Sequence, residues 1–157
     1  MRPDVTYVYV RDLLERLAGH RPEPDRDGDL PVQFEGAQFF VRVVGNTDPW
    51  VQVFAVAVAD LEPTPDLMVR LNEINTELRF ARAFHVGSQV LIESEIWADD
   101  VNPANFHHAC RNVAGATDAY ATGILDAFGG KPLFEESKTE EYKQGMLPVG
   151  FAAGPYL

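Results

Sequence analysis

Cysteine is nearly absent from this sequence of 157 residues. Cys110 is the single example, which excludes a disulfide bond within the chain and favours a reducing compartment. The longest apolar run covers residues 53–59 and is far too short to cross a bilayer. The first residues also lack the basic and apolar segments of a signal peptide. We therefore expect a cytoplasmic protein.

Positively charged residues are also few. Thirteen Lys and Arg residues stand against 24 Asp and Glu residues, which gives a formal net charge of -11, and no basic run occurs. Negative charge repels phosphate backbones and anionic lipid surfaces, so we expect neither nucleic acid nor membrane as a partner. An acidic surface accepts a basic or apolar protein segment, although solubility alone would also explain the charge.

Motifs for catalysis and cofactor binding are missing as well. The sequence contains no Walker loop, GxGxxG, HExxH, GxSxG or paired CxxC. Residues 27–29, Asp-Gly-Asp, resemble part of a calcium loop but lack the later ligands and the final Glu. We therefore predict that the protein is not an enzyme.

Two histidines and the cysteine are the first candidates for a metal site or a reactive thiol. His107 and His108 are adjacent on a predicted helix, so their side chains diverge by about 100° and do not easily share a metal ion. A metal site would need Asp99 or Asp100, after the strand end folds back towards the helix. Cys110 lies three residues after His107, but on an apolar stripe where burial disfavours a reactive thiolate.

Paired carboxylates are the other candidate. Glu93 and Glu95 lie on one side of a predicted strand, roughly 7 Å apart, a separation that paired acids use in glycoside hydrolysis. Alternation on any exposed strand produces the same pattern. A small enzyme that uses His85, Glu93 or Glu95 is therefore kept as an alternative, and it predicts a deep pocket with converging polar groups.

Hydrophobic periodicity predicts three helices. Apolar residues recur every three to four positions over residues 4–18, and Gly19 ends that helix. Thr64 caps the second helix, with Pro65 at its first position. Asn102 caps the third, which continues to the two glycines at 129–130.

Five strands fill the space between these helices. They are predicted at residues 32–35, 38–44, 50–58, 80–86 and 89–97. Residues 50–58 are apolar on both sides, which places that strand in the middle of the sheet. The result is an α+β fold with an antiparallel five-stranded sheet in the order α-β-β-β-α-β-β-α. We expect one domain over residues 1–130 and a tail over 131–157 that is partly disordered or extended.

Apolar residues occupy both faces of this sheet. If Phe39 and Val41 face the helices, alternation turns Phe40 and Val44 the other way. In the central strand it likewise separates Val51 and Val53 from a second set: Trp50, Phe54, Val56 and Val58. The middle helix, a second copy of the chain or a bound peptide must cover that second face.

Several segments resemble the YbjN-like domains of the type III secretion chaperone-like (CesT-type) family. They are Phe-Phe-Val-Arg-Val at 39–43, Trp-Val-Gln-Val-Phe-Ala at 50–55, Pro-Thr-Pro-Asp-Leu at 63–67, Leu-Asn-Glu-Ile-Asn at 71–75, Val-Leu-Ile-Glu at 90–93 and Asn-Pro-Ala-Asn at 102–105. The resemblance covers about residues 5–128. It implies a secretion chaperone-like fold, a homodimer without cofactors and a protein partner held in an extended form.

We therefore predict a chaperone-like homodimer that shields an extended apolar segment of a partner protein. A dimeric regulatory or adaptor protein that binds a folded partner is the alternative. The predicted protein-binding or dimer face comprises Phe40, Val44, Trp50, Phe54, Leu67, Leu71, Ile74, Glu93 and Glu95. Apolar tail residues, Phe151 and Tyr156 among them, form a candidate guard of that site.

Overall fold

The fold is described from a computed structural model, which covers residues 1–34 and 37–133. The predicted turn at Gly36 and the tail from residue 134 onwards lie outside the described residues. No helix within the described ranges is long and apolar enough to span a membrane.

Three α-helices form where the sequence places them. They are α1 (Pro3–Ala18), α2 (Pro65–Glu77) and α3 (Pro103–Phe128), and each begins with a proline at its first turn. The Thr64 hydroxyl accepts a hydrogen bond from the Leu67 amide, which satisfies one of the free N–H groups at the start of α2. Asn102 caps α3 in the same way. A short 3-10 helix, Ala98–Asp100, precedes α3.

The five strands form one antiparallel sheet. They are β1 (Leu30–Phe34), β2 (Ala37–Val44), β3 (Trp50–Val58), β4 (Arg82–Val86) and β5 (Gln89–Trp97). Their order across the sheet is β1-β2-β3-β5-β4, so β3 is central, as its composition predicts. Strand β4 starts two residues later than predicted, after Phe80, which adopts a left-handed backbone conformation with φ 59°.

All three helices pack on the same face of the sheet, which we call the helix face. Helix α1 lies over β1 and β2, α3 crosses β2, β3 and β5, and α2 packs beside β4. Phe39, Val53 and Ile92 are fully buried beneath them. The buried residues of α2 join this core through Ala57, Ala83 and Ile92.

The position of α2 shows whether the middle helix covers the side of the sheet opposite the other helices. Because α2 packs on the helix face, it does not cover the opposite face, and that possibility is wrong. A change of register between Val56 and Val58 also turns Val58 into the helix-face core, although simple alternation predicts the other side.

Candidate functional site

The face of the sheet opposite the helices carries the candidate site, and we call it the second face. Cross-strand pairs fix its members, because directly paired residues point to the same side. They include Phe40, Arg42 and Val44 of β2, Trp50, Gln52, Phe54 and Val56 of β3, Arg82 and Phe84 of β4, and Leu91, Glu93, Glu95 and Trp97 of β5. No helix of the described residues packs on it.

One half of the second face is apolar. The rings of Phe40 and Phe54 stack with centroids 5.4 Å apart. Both belong to a buried cluster with Leu91 and Leu133, and Phe84 packs against its edge. The Arg42 guanidinium lies 4.5 Å from the centre of the Phe54 ring and pairs with Asp29 at 2.6 Å. This arrangement gives a packed aromatic and aliphatic cluster with the Arg42 guanidinium over one ring and the Arg82 guanidinium 5.2 Å from the centre of the Phe84 ring.

The other half of the second face is polar. Glu93 is fully buried, and it accepts hydrogen bonds of 2.5 Å from both Gln52 Nε2 and Arg82 Nε. Glu95 lies 3.8 Å from the same guanidinium and keeps much of its side chain in solvent. Burial raises the pKa of Glu93 above its usual 4.5, and the Arg82 charge opposes that rise. Burial outweighs the ion pair in setting the pKa of Glu93, because Arg82 is half-exposed and water screens its attraction for the carboxylate.

An open hollow adjoins this polar half. Phe80, Ala81 and Ser94 line it together with the charged side chains of β4 and β5. Phe80 is 86% exposed, and its carbonyl oxygen accepts a hydrogen bond from the Ser94 hydroxyl. Trp97 is 55% exposed and meets Trp50 edge to face at 6.2 Å. Exposed aromatic side chains beside a charged rim are typical of protein-recognition surfaces.

Six of the nine predicted binding residues come together on the second face: Phe40, Val44, Trp50, Phe54, Glu93 and Glu95. The other three, Leu67, Leu71 and Ile74, lie in the helix-face core of this subunit, because they form the inward side of α2. Sequence reasoning missed Gln52 and Arg82, whose partner is Glu93. Alternation along β3 would have revealed Gln52, whereas Arg82 requires the pairing of β4 with β5.

The residues of the enzyme alternative do not converge. His85 pairs across the sheet with Val90, on the helix side, and its Nε2 lies 2.7 Å from the Leu61 carbonyl oxygen. Glu93 and Glu95 lie on the opposite side. The described residues therefore do not bring His85 and the two carboxylates into one pocket.

The remaining chemical candidates are also separated. Asp99 pairs with the amino group of Met1, while His107 packs edge to face on Phe34 at 5.9 Å. Across residues 1–34 and 37–133, no three potential ligand side chains are close enough to hold a metal ion. Cys110 is buried as predicted, and burial raises the pKa of its thiol to about 12.

Three helices on one face of a five-stranded antiparallel sheet, with an aromatic second face, define a secretion chaperone-like α+β protein. Residues 5–136 match the TY-Chap1 family model, described as T3SS (YopN, CesT) and YbjN peptide-binding chaperone 1. The chain therefore belongs to this family. The resemblance read from the sequence is confirmed.

Two solved structures show the same fold. The chain is similar to one in the crystal structure of the ExsC-ExsE complex, with a TM-score of 0.57 and 14% identity over 74% of this chain and 93% of that chain. It is also similar to a chain of the HopA1-SchA chaperone-effector complex, with a TM-score of 0.53 and 11% identity over 76% of this chain and 95% of that one. A search of curated proteins gives no significant match.

Proposed function

We propose that the protein is a chaperone-like module that binds an extended apolar segment of a partner protein on its second face. The observation that carries this proposal is the apolar cluster around the stacked rings of Phe40 and Phe54, which are buried although no described helix packs on them. Membership of a peptide-binding chaperone family supports it. The two complexes of similar fold, one of them between a chaperone and an effector, agree with a protein partner.

An extended segment suits this surface physically. Strands lie about 4.8 Å apart, so five strands present a face roughly 20 Å wide. A segment of about six extended residues crosses that width at roughly 3.3 Å per residue, and every second side chain meets the sheet. Glu95 at the polar end favours a basic residue in the bound segment, in keeping with the net charge of -11.

The test measures affinity for a chain that cannot fold. Reduced α-lactalbumin, with its cysteines blocked by iodoacetamide so that no charge is added, is labelled with a fluorophore, titrated with the full-length protein and followed by anisotropy. We expect it to bind at least tenfold more tightly than native α-lactalbumin. Equal affinity for both forms would support the adaptor alternative, and no affinity for the unfolded form would refute the proposal.

A pair of exposed residues provides the matched variants. Trp97 on the second face and Val8 on α1 are each 55% exposed, so alanine at either position leaves the core intact. We expect Trp97→Ala to weaken binding of the unfolded probe about tenfold, which is about 1.4 kcal/mol, as for an aromatic anchor in an interface. Val8→Ala should leave it unchanged. Equal effects would place the binding surface elsewhere.

We also propose that the protein acts as a homodimer through the outer side of α2. Met68 and Val69 are 41% and 60% exposed there, beside the edge strand β4. A stable pair usually buries about 800 Å² on each partner. Light scattering should give twice the subunit mass, and Val69→Asp should halve it while Val8→Asp does not. A wild-type protein of single-subunit mass would contradict this proposal.

A further inference from the structure

The chain leaves α3 through a tight passage at the end of β3. Gly129 and Gly130 both have positive φ angles, 84° and 86°. A Cβ atom on Gly130 would lie 2.6 Å from the Ala59 carbonyl oxygen and from a Val58 methyl group. Such distances exclude any larger residue without movement of the backbone. The two glycines therefore allow the chain to pass closely over the end of the central strand β3.

Lys131 fixes the chain after this passage. Its backbone N–H and C=O exchange hydrogen bonds of 2.7 and 2.9 Å with Ala59, as one isolated antiparallel bridge. Its ammonium group lies 2.8 Å from a carboxylate oxygen of Asp60. Two residues later, Leu133 is 7% exposed and belongs to the same buried cluster as Phe40 and Phe54. The chain has therefore moved from the helix side to the second face.

We propose that residues 134–157 bind the second face in cis and compete there with the partner segment. The proposal rests on the function proposed above. Leu133 delivers this segment onto the apolar half of the face, and twenty-four further residues at about 3.3 Å each exceed the roughly 20 Å width of the sheet. The segment also has a suitable composition, with five bulky apolar residues near its end: Leu147, Val149, Phe151, Tyr156 and Leu157.

Covalent attachment makes this competition effective. A segment tethered beside its site acts at a high local concentration, on the order of millimolar for a short flexible connection. The apparent dissociation constant for a partner equals the intrinsic constant divided by the fraction of molecules whose second face is free, so it rises as the chain's own segment occupies that face. A partner segment must therefore displace the chain's own residues, so that short or weakly apolar segments are rejected.

The first test changes the segment within the full-length protein. Four apolar residues are replaced together in the variant L147S/V149S/F151S/Y156S. The control variant, K138S/E140S/E141S/K143S, changes four charged residues and leaves the net charge at -11. We expect the first variant to bind unfolded α-lactalbumin about tenfold more tightly than wild type and the control to bind as wild type does. Equal affinity for all three proteins would overturn the proposal.

The second test locates the segment without using any partner. A nitroxide spin label is placed on Ala153→Cys of the full-length protein, since the buried thiol of Cys110, with its pKa of about 12, will not react. We expect paramagnetic broadening of the Phe54 and Leu91 amide signals, with Val8 and Val69 unaffected. Broadening at the helices, or none, would overturn the proposal.

Mixing spin-labelled chains with isotope-labelled chains separates cis from trans binding. In this mixture no observed chain carries its own spin label, so broadening there means that a second copy supplies the segment, which contradicts binding in cis. Broadening within one chain, together with no affinity for unfolded α-lactalbumin in any variant, would leave the cis contact established and refute the chaperone function. The two proposals therefore fail separately.

Discussion

The two faces of the sheet differ in how they combine apolar and charged groups. The helix face is apolar along its central strand and is closed by all three helices. The second face joins an apolar half around Phe40 and Phe54 to a polar half around Glu93, Arg82 and Gln52. Buried charges contribute little net stability, whereas they give direction and specificity to binding. The helix face therefore holds the larger part of the hydrophobic core, and the second face carries the charged groups on which the proposed binding depends.

The largest expected effect compares one aromatic residue on each face. Phe39→Ala opens a cavity under the helices and should lower the free energy of unfolding by about 3–5 kcal/mol. Trp97→Ala on the second face should cost clearly less, about 1 kcal/mol, because 55% of that side chain is already exposed to solvent. Urea denaturation of both variants measures the difference. Equal losses would mean that the second face is as much a structural core as the first.

The next effect concerns the passage between the two faces. Gly130→Ala should destabilise the protein by about 2–3 kcal/mol, because its Cβ would clash with Ala59 and Val58 at a positive φ. Gly129→Ala is the matched control, since it meets only the φ strain and has no atom within 4 Å of its added Cβ. Because Gly129 combines φ 84° with ψ -146°, a conformation that few other residues adopt, we expect it to cost about 1–2 kcal/mol. Identical melting temperatures for the two variants would show that the close approach at Gly130 is unimportant.

The smallest effect is a pH dependence that originates on the second face. Burial raises the folded-state pKa of Glu93, so the folded chain takes up this proton before the unfolded chain does as the pH falls. As the pH falls from neutral to about 4.5, the wild type should therefore gain stability relative to Glu93→Gln. As the pH rises again, this gain should be lost. Urea unfolding of both proteins at several pH values measures this trend. The opposite trend would show that the Arg82 ion pair outweighs burial.

Local signals in the sequence predicted most of the fold. Thr64 and Asn102, each followed by proline, mark the starts of α2 and α3 correctly, because capping depends on a few adjacent residues. The apolar run at 50–58 predicts the central strand for a similar reason. Alternation also assigned six of the candidate site residues to one face, since it depends only on strand geometry.

Other features could not be predicted because they depend on contacts between distant segments. The apolar stripe of α2 shows that one side is buried, but not which face of the sheet buries it. The irregular pairing at Val58 and the contact between Arg82 and Glu93 both follow from strand register. Leu133 reaches the second face only because Gly130 and Lys131 lead the chain around β3.

Mapping of the bound segment by NMR tests the central claim most directly. Unfolded α-lactalbumin is added to isotope-labelled, full-length protein, and amide shift changes are assigned to each face. The account predicts changes centred on Phe40, Phe54 and Leu91, with the outward residues of α1 and α2 unmoved. Amide shift changes confined to the helices, with none on the second face, would contradict it.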